Sequence, residues 1–285
     1  PIIAIALGAM IGGLGQIALQ VPALRHEGYR YRPVLNPFDP GLLEILRLIG
    51  PGTFAGAALQ INLLVNTILA TGEGTGAVSW LGYAFRVMYL PIGLFGVSIA
   101  TATLPAVSRY AAQDELAGIR QTVSRALRMM LMLTVPALVG LIALADPIVG
   151  LIFERGSFTS ADTTATAAAL AFYAPGLVGY ATVRICLPCF YALKDSLTPA
   201  LVSITSVALN IVLNVILVQS MGYRGLALGT SIAALVNAGL LYYLLRRRLG
   251  GLDTPRVLLA LAKISVAALL MGAAALGIHI WLVSL

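Results

Sequence analysis

One arginine lies deep inside a long apolar segment of this sequence. Arg86 falls within the run 77–104, and if the run is helical the side chain starts roughly 13 Å below a membrane surface. A charge at that depth costs a few kcal/mol unless it faces water, an anion or a partner. Because a guanidinium binds phosphate through two parallel hydrogen bonds, we predict that Arg86 lines a cavity that accepts phosphate. The alternative is an arginine that bonds backbone carbonyls and only holds helices together.

Other polar residues within apolar runs give weaker signals. Arg184 lies about two turns from the end of its run, so its side chain reaches toward the surface, and it is the second candidate for the cavity. Asn210 and Asn214 are four residues apart and share one helix face. Amides at this depth usually hold helices together, and a cation site built from them without a carboxylate is weak.

Residues suited to catalysis are sparse. Cys186 and Cys189 form a C-x-x-C pattern, but it lies in an apolar run, so we interpret both as small buried side chains. The two histidines, His26 and His279, complete neither a metal cluster nor a Ser-His-Asp arrangement. We therefore predict that the protein is not an enzyme.

The elements that carry these residues are apolar runs long enough to cross a membrane. Of 285 residues, 59% are hydrophobic and 10% are charged, and the mean hydropathy is +0.94. A water-soluble core cannot hide that much apolar surface. We predict an all-α, polytopic transmembrane bundle of about eight spanning helices. Their expected positions are 1–24, 48–70, 77–104, 126–145, 164–192, 199–219, 224–245 and 257–283.

The net charge of +7 comes mainly from alternate connections between these runs. Fourteen of the 18 Lys and Arg residues lie in or beside every second connection, whereas the intervening connections hold Arg155 and Arg224. This bias predicts that the basic connections face the cytoplasm and that both ends of the chain face away from it. No nucleic-acid partner is expected, because the charge follows membrane topology and does not form one binding patch.

Two connections contain predicted interfacial helices. In the connection 108–128 apolar residues recur at helical spacing, as expected of an interfacial amphipathic helix, and a solvated connector is the alternative that stays open. On the other side of the membrane, Asp146 followed by Pro147 predicts an N-cap and a first helical residue before a short helix at 148–153.

Five stretches of the sequence together carry a family resemblance. They are SWLGYAFR at 79–86, LPIGLFGV at 90–97, ATLPAVS at 102–108, FERGSFT at 153–159 and FYALKDSLTP at 190–199. In this order and spacing they resemble the MurJ/MviN family of lipid II flippases, a branch of the superfamily of multidrug, oligosaccharidyl-lipid and polysaccharide exporters. The resemblance extends over essentially the whole chain.

The resemblance implies a protein of 14 helices in which two lobes face each other across a central cavity. Placed on that plan, the chain runs from the sixth helix to the thirteenth and lacks most of the amino-terminal lobe, which would be its partner. The implied parts are 1–47, the last helix of the amino-terminal lobe with a cytoplasmic linker; 48–245, a six-helix carboxy-terminal lobe; and 246–285, a basic loop and a lipid-groove helix. The first residue is Pro, so the chain looks cut.

The implied function is translocation of lipid II, an undecaprenyl-pyrophosphate-linked disaccharide-pentapeptide, across the bacterial cytoplasmic (inner) membrane by alternating access. By motif match, Arg86 corresponds to the family's essential cavity arginine of the carboxy-terminal lobe. Many members have acidic residues where this sequence has Phe85 and Tyr89. Charge pairing of Arg86 in those members therefore does not carry over to this chain.

The resemblance also implies a weak candidate for a sodium site. In some members a sodium ion sits among helices that correspond to those bearing Asn66, Asn210, Asn214 and Thr230. The positions that match carboxylates in those members are Asn66 and Asn214 here, which weakens the site. No other cofactor is expected.

Three other functions stay open from the sequence. The first is a related exporter of drugs or of other lipid-linked sugars, which differs in the substrate that crosses. The second is a membrane scaffold that recruits wall-synthesis enzymes through its basic loops, in which case those loops matter and Arg86 does not. An intramembrane enzyme is third, and the missing catalytic set argues against it.

Overall fold

Helices account for the regular structure of this chain. A computed structural model describes residues 2–26, 28 and 40–284, and among these residues there is no strand, which confirms the all-α prediction. In chain order the helices are α1 Ile2–His26, α2 Pro40–Thr71, α3 Ala77–Pro91, a π-helical segment Ile92–Gly96, α4 Val97–Ala112, α5 Leu116–Ala143, α6 Ala145–Phe153, α7 Ser160–Tyr173, α8 Gly176–Ala192, α9 Leu197–Met221, α10 Tyr223–Arg248 and α11 Thr254–Val283.

Helices that are long and apolar enough to cross a membrane lie where the spans were predicted. Within the described residues there are six such helical stretches, or seven when α7 and α8 count as one bent span. The α3–α4 stretch runs through the π-helical segment as one span, Ala77–Ala112. The first predicted run, 1–24, folds as helix α1. Seven of the eight predicted spans therefore correspond to these stretches, and α1 is a helix outside this group.

The chain divides into two compact units, one that ends at Leu46 and one that begins at Arg47. The first holds α1, and the second holds α3 to α11 together with α2 from Arg47 onward. The predicted linker falls largely on residues 29–39, which lie outside the described residues. The predicted division at 47 and 245 stays a prediction.

Two large clusters of buried side chains hold the second unit together. One lies around Met88, Leu170 and Leu177, where α3, α7 and α8 meet. The other lies around Ile119 and Phe190, where α5 meets α8. In α3 the buried residues recur at turns of the helix, so one face packs inward and the opposite face stays available.

The outer surface of the second unit is apolar. Many large hydrophobic side chains are exposed, and examples are Leu151 at 89% and Leu270 at 69%. A surface of this kind is unstable in water and suits contact with lipid. The comparison of buried and exposed faces therefore supports the membrane assignment made from composition.

The segments predicted as interfacial helices are helical, but their limits and caps need correction. Residues 116–143 form one helix, so the amphipathic segment is not separate from the following span. The reason is that its buried face continues from Ile119 and Val123 into Met130, which leaves no break. Likewise, α6 begins at Ala145 with Asp146 in its first turn, so Asp146 is not the N-cap.

Helix α8 packs very closely on α10. A Cβ atom at Gly179 would lie 2.6 Å from the backbone carbonyl of Ala234. Only a residue without a side chain permits this approach, and small residues are typical of such contacts in membranes. Between α7 and α8 the chain bends by 48° at Pro175, a residue that cannot donate a backbone hydrogen bond. The close approach at Gly179 places α8 directly against α10.

Candidate substrate-binding site

Helix α3 presents Arg86 away from its buried face. Leu81, Ala84 and Met88 are buried, whereas Arg86 is exposed. The guanidinium carbon lies 5.9 Å from the centre of the Tyr83 ring, within range of a cation–π contact. Arg86 makes no hydrogen bond or ion pair with any residue that the structure describes. The alternative in which backbone carbonyls hold this arginine therefore finds no contact to support it there.

Arg86 lines two adjoining cavities. The first, about 440 Å³, lies among α2, α3, α7, α8 and α10, and its polar lining includes Asn62 and Asn66. The second, about 510 Å³, is more open and lies along α3, between Phe85 and Leu94. A guanidinium shared by both cavities is accessible to a ligand in either one.

Arg184 reaches the same region from α8. Its Nη2 donates a 2.7 Å hydrogen bond to the hydroxyl oxygen of Tyr89, and Tyr89 lines the second cavity together with Arg86. The side chain of Arg184 is exposed. The structure thus brings both arginines predicted from the sequence to the surroundings of Tyr89.

Four aromatic rings form the wall beside these arginines. The ring of Phe85 lies 5.8 Å from Tyr89, 5.6 Å from Tyr173 and 5.9 Å from Tyr180, measured between ring centres. Sequence reasoning did not identify Tyr173 and Tyr180 as site residues. They lie on different helices, α7 and α8, on either side of the bend at Pro175, so no spacing within one helix pointed to them.

A network of amides and one hydroxyl closes the far side of the first cavity. Asn214 donates to Asn66 Oδ1 and, at 3.2 Å, to Asn210 Oδ1. Asn66 donates to Asn210 Oδ1 at 3.4 Å, and Asn210 donates to Thr230 Oγ1 at the same distance. The four residues named together in the sequence therefore lie together and bond one another across α2, α9 and α10.

Comparisons with known proteins identify the family of this chain. The family model described as "Lipid II flippase MurJ" matches residues 1–283. The chain belongs to the MurJ family. A probable lipid II flippase MurJ from Vibrio cholerae is 38% identical over 242 residues, which is 85% of this chain and 46% of that protein. One from Haemophilus influenzae is 33% identical over 284 residues, or 96% and 55%.

Solved structures give the same assignment. A lipid II flippase MurJ in an inward closed conformation superimposes with a TM-score of 0.69 and 29% identity, over 87% of this chain and 50% of that one. An outward-facing multidrug resistance MATE transporter of the MOP superfamily matches with a TM-score of 0.64 and 18% identity, over 81% and 54%, which shows the fold alone. The chain spans about half the length of the relatives that it matches. The resemblance stated from the sequence is confirmed.

The amide network does not suit a sodium ion well. Its Nδ2 groups already donate to the Asn66 and Asn210 oxygens that a cation would need. Asn214 Oδ1 is buried without a partner, and so is Asn62 Oδ1 of the cavity lining, but two amide oxygens without a carboxylate are a poor ligand set for a hard cation. Among the described residues no group of three or more His, Cys, Asp or Glu side chains is placed to hold a metal. We derive no step of function through sodium in this MurJ family member.

We expect the thermal stability of the protein to be the same in sodium chloride and in potassium chloride. The physical reason is that the Asn66 and Asn210 oxygens already accept hydrogen bonds from amide groups of the network, so a cation gains little by displacing those bonds. The check is a melting curve in each salt for the unchanged protein and for Asn214→Leu. A rise in melting temperature that is specific to sodium and disappears in Asn214→Leu would establish the cation site instead.

One hydrogen bond anchors the start of α3 to α7. Trp80 Nε1 donates to Asp162 Oδ1 at 2.8 Å. Asp162 in turn completes a capping box with Thr159 at the start of α7. Since Arg86 lies six residues beyond Trp80 on α3, the anchor helps to fix the direction in which Arg86 points.

Replacing Trp80 with Phe is expected to lower the melting temperature of the protein. A smaller aromatic ring remains, but the hydrogen bond from the indole to the carboxylate is lost, and Asp162 keeps only its capping role. The matched control is Trp281→Phe on α11, where the side chain is 61% exposed and the melting temperature should not change. Equal melting temperatures for the two variants would show that the Trp80 bond does not contribute.

Proposed function

We propose that this protein moves lipid II from the inner to the outer leaflet of a bacterial cytoplasmic membrane, and that this chain supplies one lobe of the flippase. The observation that carries the proposal is Arg86, an exposed guanidinium at the junction of two cavities in a membrane-spanning helix. Membership of the MurJ family supports the choice of substrate.

The chemistry of the site suits a lipid-linked pyrophosphate. The guanidinium of Arg86 makes no hydrogen bond or ion pair among the described residues, so it can form two hydrogen bonds with phosphate oxygens. Arg184 adds a second positive charge next to Tyr89. The Tyr89 hydroxyl accepts a hydrogen bond from Arg184, which leaves its own hydrogen for a phosphate oxygen.

The transport step needs no covalent chemistry. The lipid crosses unchanged while one lobe rocks against the other around the bound headgroup, as in other transporters built from repeated halves. The π-helical segment Ile92–Gly96 follows Arg86 within two turns of the same span, and such segments are frequent at functional sites. We propose that this segment allows the part of the span that bears Arg86 to move relative to α4.

The proposal is tested by translocation of fluorescent lipid II in vesicles that contain the full-length protein. We expect the fluorescent headgroup to become accessible to a quencher on the far side, and unlabelled lipid II to compete. Movement of a cationic drug without movement of lipid II would assign the protein to drug export. The scaffold function would be favoured if neither compound moves and wall synthesis is lost when Arg246 and Arg247, at the end of α10, are neutralised.

A further inference from the structure

A groove between α4 and α5 lies outside the site described above. Its volume is about 470 Å³, and it is lined by side chains from both helices. Since the helices are joined by a short turn at residues 113–115, Tyr110 and Gln121 lie near the turn, whereas Ile99 and Met129 lie farther from it. Ser98 and Thr103 also line the part away from the turn, but their hydroxyls donate to the backbone carbonyl oxygens of Leu94 and Ile99. The free polar groups of the groove are therefore concentrated toward the turn.

The polar part of the groove contains an arginine without a protein partner. Helix α5 carries three arginines near this end. Arg120 Nε donates to the carbonyl oxygen of Leu249 at 2.5 Å, and Arg128 Nε donates to that of Ser124 at 3.2 Å. Arg125, by contrast, lines the groove, is exposed, and makes no hydrogen bond or ion pair within the described part of the chain.

The charges around the groove favour an anion. Arg109 lies beside it, with its guanidinium carbon 5.5 Å from the centre of the Tyr110 ring. The nearby acidic residues, Asp114 and Glu115, are in the turn, and neither lines the groove. Ten residues separate Glu115 from Arg125, which is roughly 15 Å along a helix axis. Arg125 is thus available to a negative group at the level where the groove becomes apolar.

We propose that this groove binds an anionic phospholipid, with its phosphate on Arg125 and an acyl chain along Ile99, Ala102 and Met129. The basic connections place this end of the bundle at the cytoplasmic leaflet, which carries anionic lipids. Basic pockets between spanning helices on that side bind anionic headgroups. The side chain of Arg125 points back toward the start of α5, hence toward the headgroup region. A zwitterionic lipid fits the apolar part of the groove, but its headgroup lacks the net negative charge that complements Arg125.

The test is the retention of lipid by the full chain, purified in mild detergent and measured by native mass spectrometry. The two lipids are phosphatidylglycerol and phosphatidylcholine with identical acyl chains. We expect phosphatidylglycerol to be retained in preference, and Arg125→Gln to weaken its binding by about fivefold. Arg125→Lys should keep the preference, because it keeps the charge. It is the control that separates loss of the charge from a folding defect in the Gln variant.

Two further variants separate the groove from general charge. Arg247→Gln removes one exposed charge from the same basic end, on α10 and away from the groove, and should leave retention unchanged. Ala102→Phe fills the apolar part without changing any charge and should lower retention of phosphatidylglycerol.

Three results would overturn the proposal. The first is equal retention of the two lipids by the unchanged chain. The second is an equal loss of retention in Arg125→Gln and Arg247→Gln. The third is a photo-crosslinker at Gln121 that captures a segment of protein and no phospholipid, which would assign the groove to a protein contact.

Discussion

Replacing Arg86 with Ala is expected to lower the rate of lipid II translocation by about a hundredfold, because loss of a charge-assisted, two-bond donor to phosphate costs about 3 kcal/mol. Membrane abundance should stay near normal. The reason is that Arg86 has no bonded partner among the described residues, so its removal leaves no opposite charge buried alone there. Translocation in vesicles and quantitative blotting of the membrane fraction measure the two quantities on the same preparations.

Two companion variants sharpen the Arg86 experiment. Lys at this position keeps the charge but loses the planar pair of donors, so the rate should fall between those of Arg and Ala. Arg155→Ala removes an exposed arginine from the α6–α7 connection and should leave the rate unchanged. Normal translocation per molecule in Arg86→Ala, with reduced abundance, would assign Arg86 a structural role.

Replacing Gly179 with Ala is expected to reduce the amount of folded protein. A Cβ atom there meets the carbonyl carbon and oxygen of Ala234, both at 2.6 Å, and backbone atoms have little freedom to move aside. Overpacking of this kind costs about 1–3 kcal/mol. Because α8 carries Arg184 and Tyr180, a displaced α8 should also weaken the site in the molecules that still fold.

The matched control for Gly179 is another glycine of the same contact pair of helices. Gly239 on α10 has nothing within 4 Å of the position of a Cβ atom, so Gly239→Ala should fold as well as the unchanged protein. The measurements are the melting temperature and the monodisperse fraction in size-exclusion chromatography. Equal values for both Ala variants would mean that the α8–α10 contact adjusts without cost.

The membrane architecture follows from local sequence, because apolar length and the distribution of Lys and Arg do not depend on tertiary contacts. For the same reason Arg86 was recognisable: a charge within an apolar run is visible without knowledge of its neighbours. The π-helical segment after Pro91 was not predicted, since proline shows where a helix is disturbed but not how the chain resumes. The continuity of α5 was also missed, because its amphipathic beginning differs in composition from its apolar remainder.

The contacts of the site depend on tertiary structure and were therefore harder to predict from the sequence. Asn210 and Asn214 share a face by spacing, but their bonds to Asn66 cross more than 140 residues, and only the family resemblance grouped these residues. The hydrogen bond between Arg184 and Tyr89 joins α8 to α3, and no periodicity within one helix indicates such a pair. Tyr180 enters the wall of the cavity by the same kind of long-range contact.

The most direct test of the central claim is equilibrium binding of lipid II to the full-length protein, compared with Arg86→Ala. Undecaprenol is the control ligand, because it has the same tail and no phosphate. We predict that Arg86→Ala binds lipid II much more weakly and binds undecaprenol as well as the unchanged protein does. Equal affinity of both proteins for lipid II would contradict the assignment of Arg86 to the pyrophosphate.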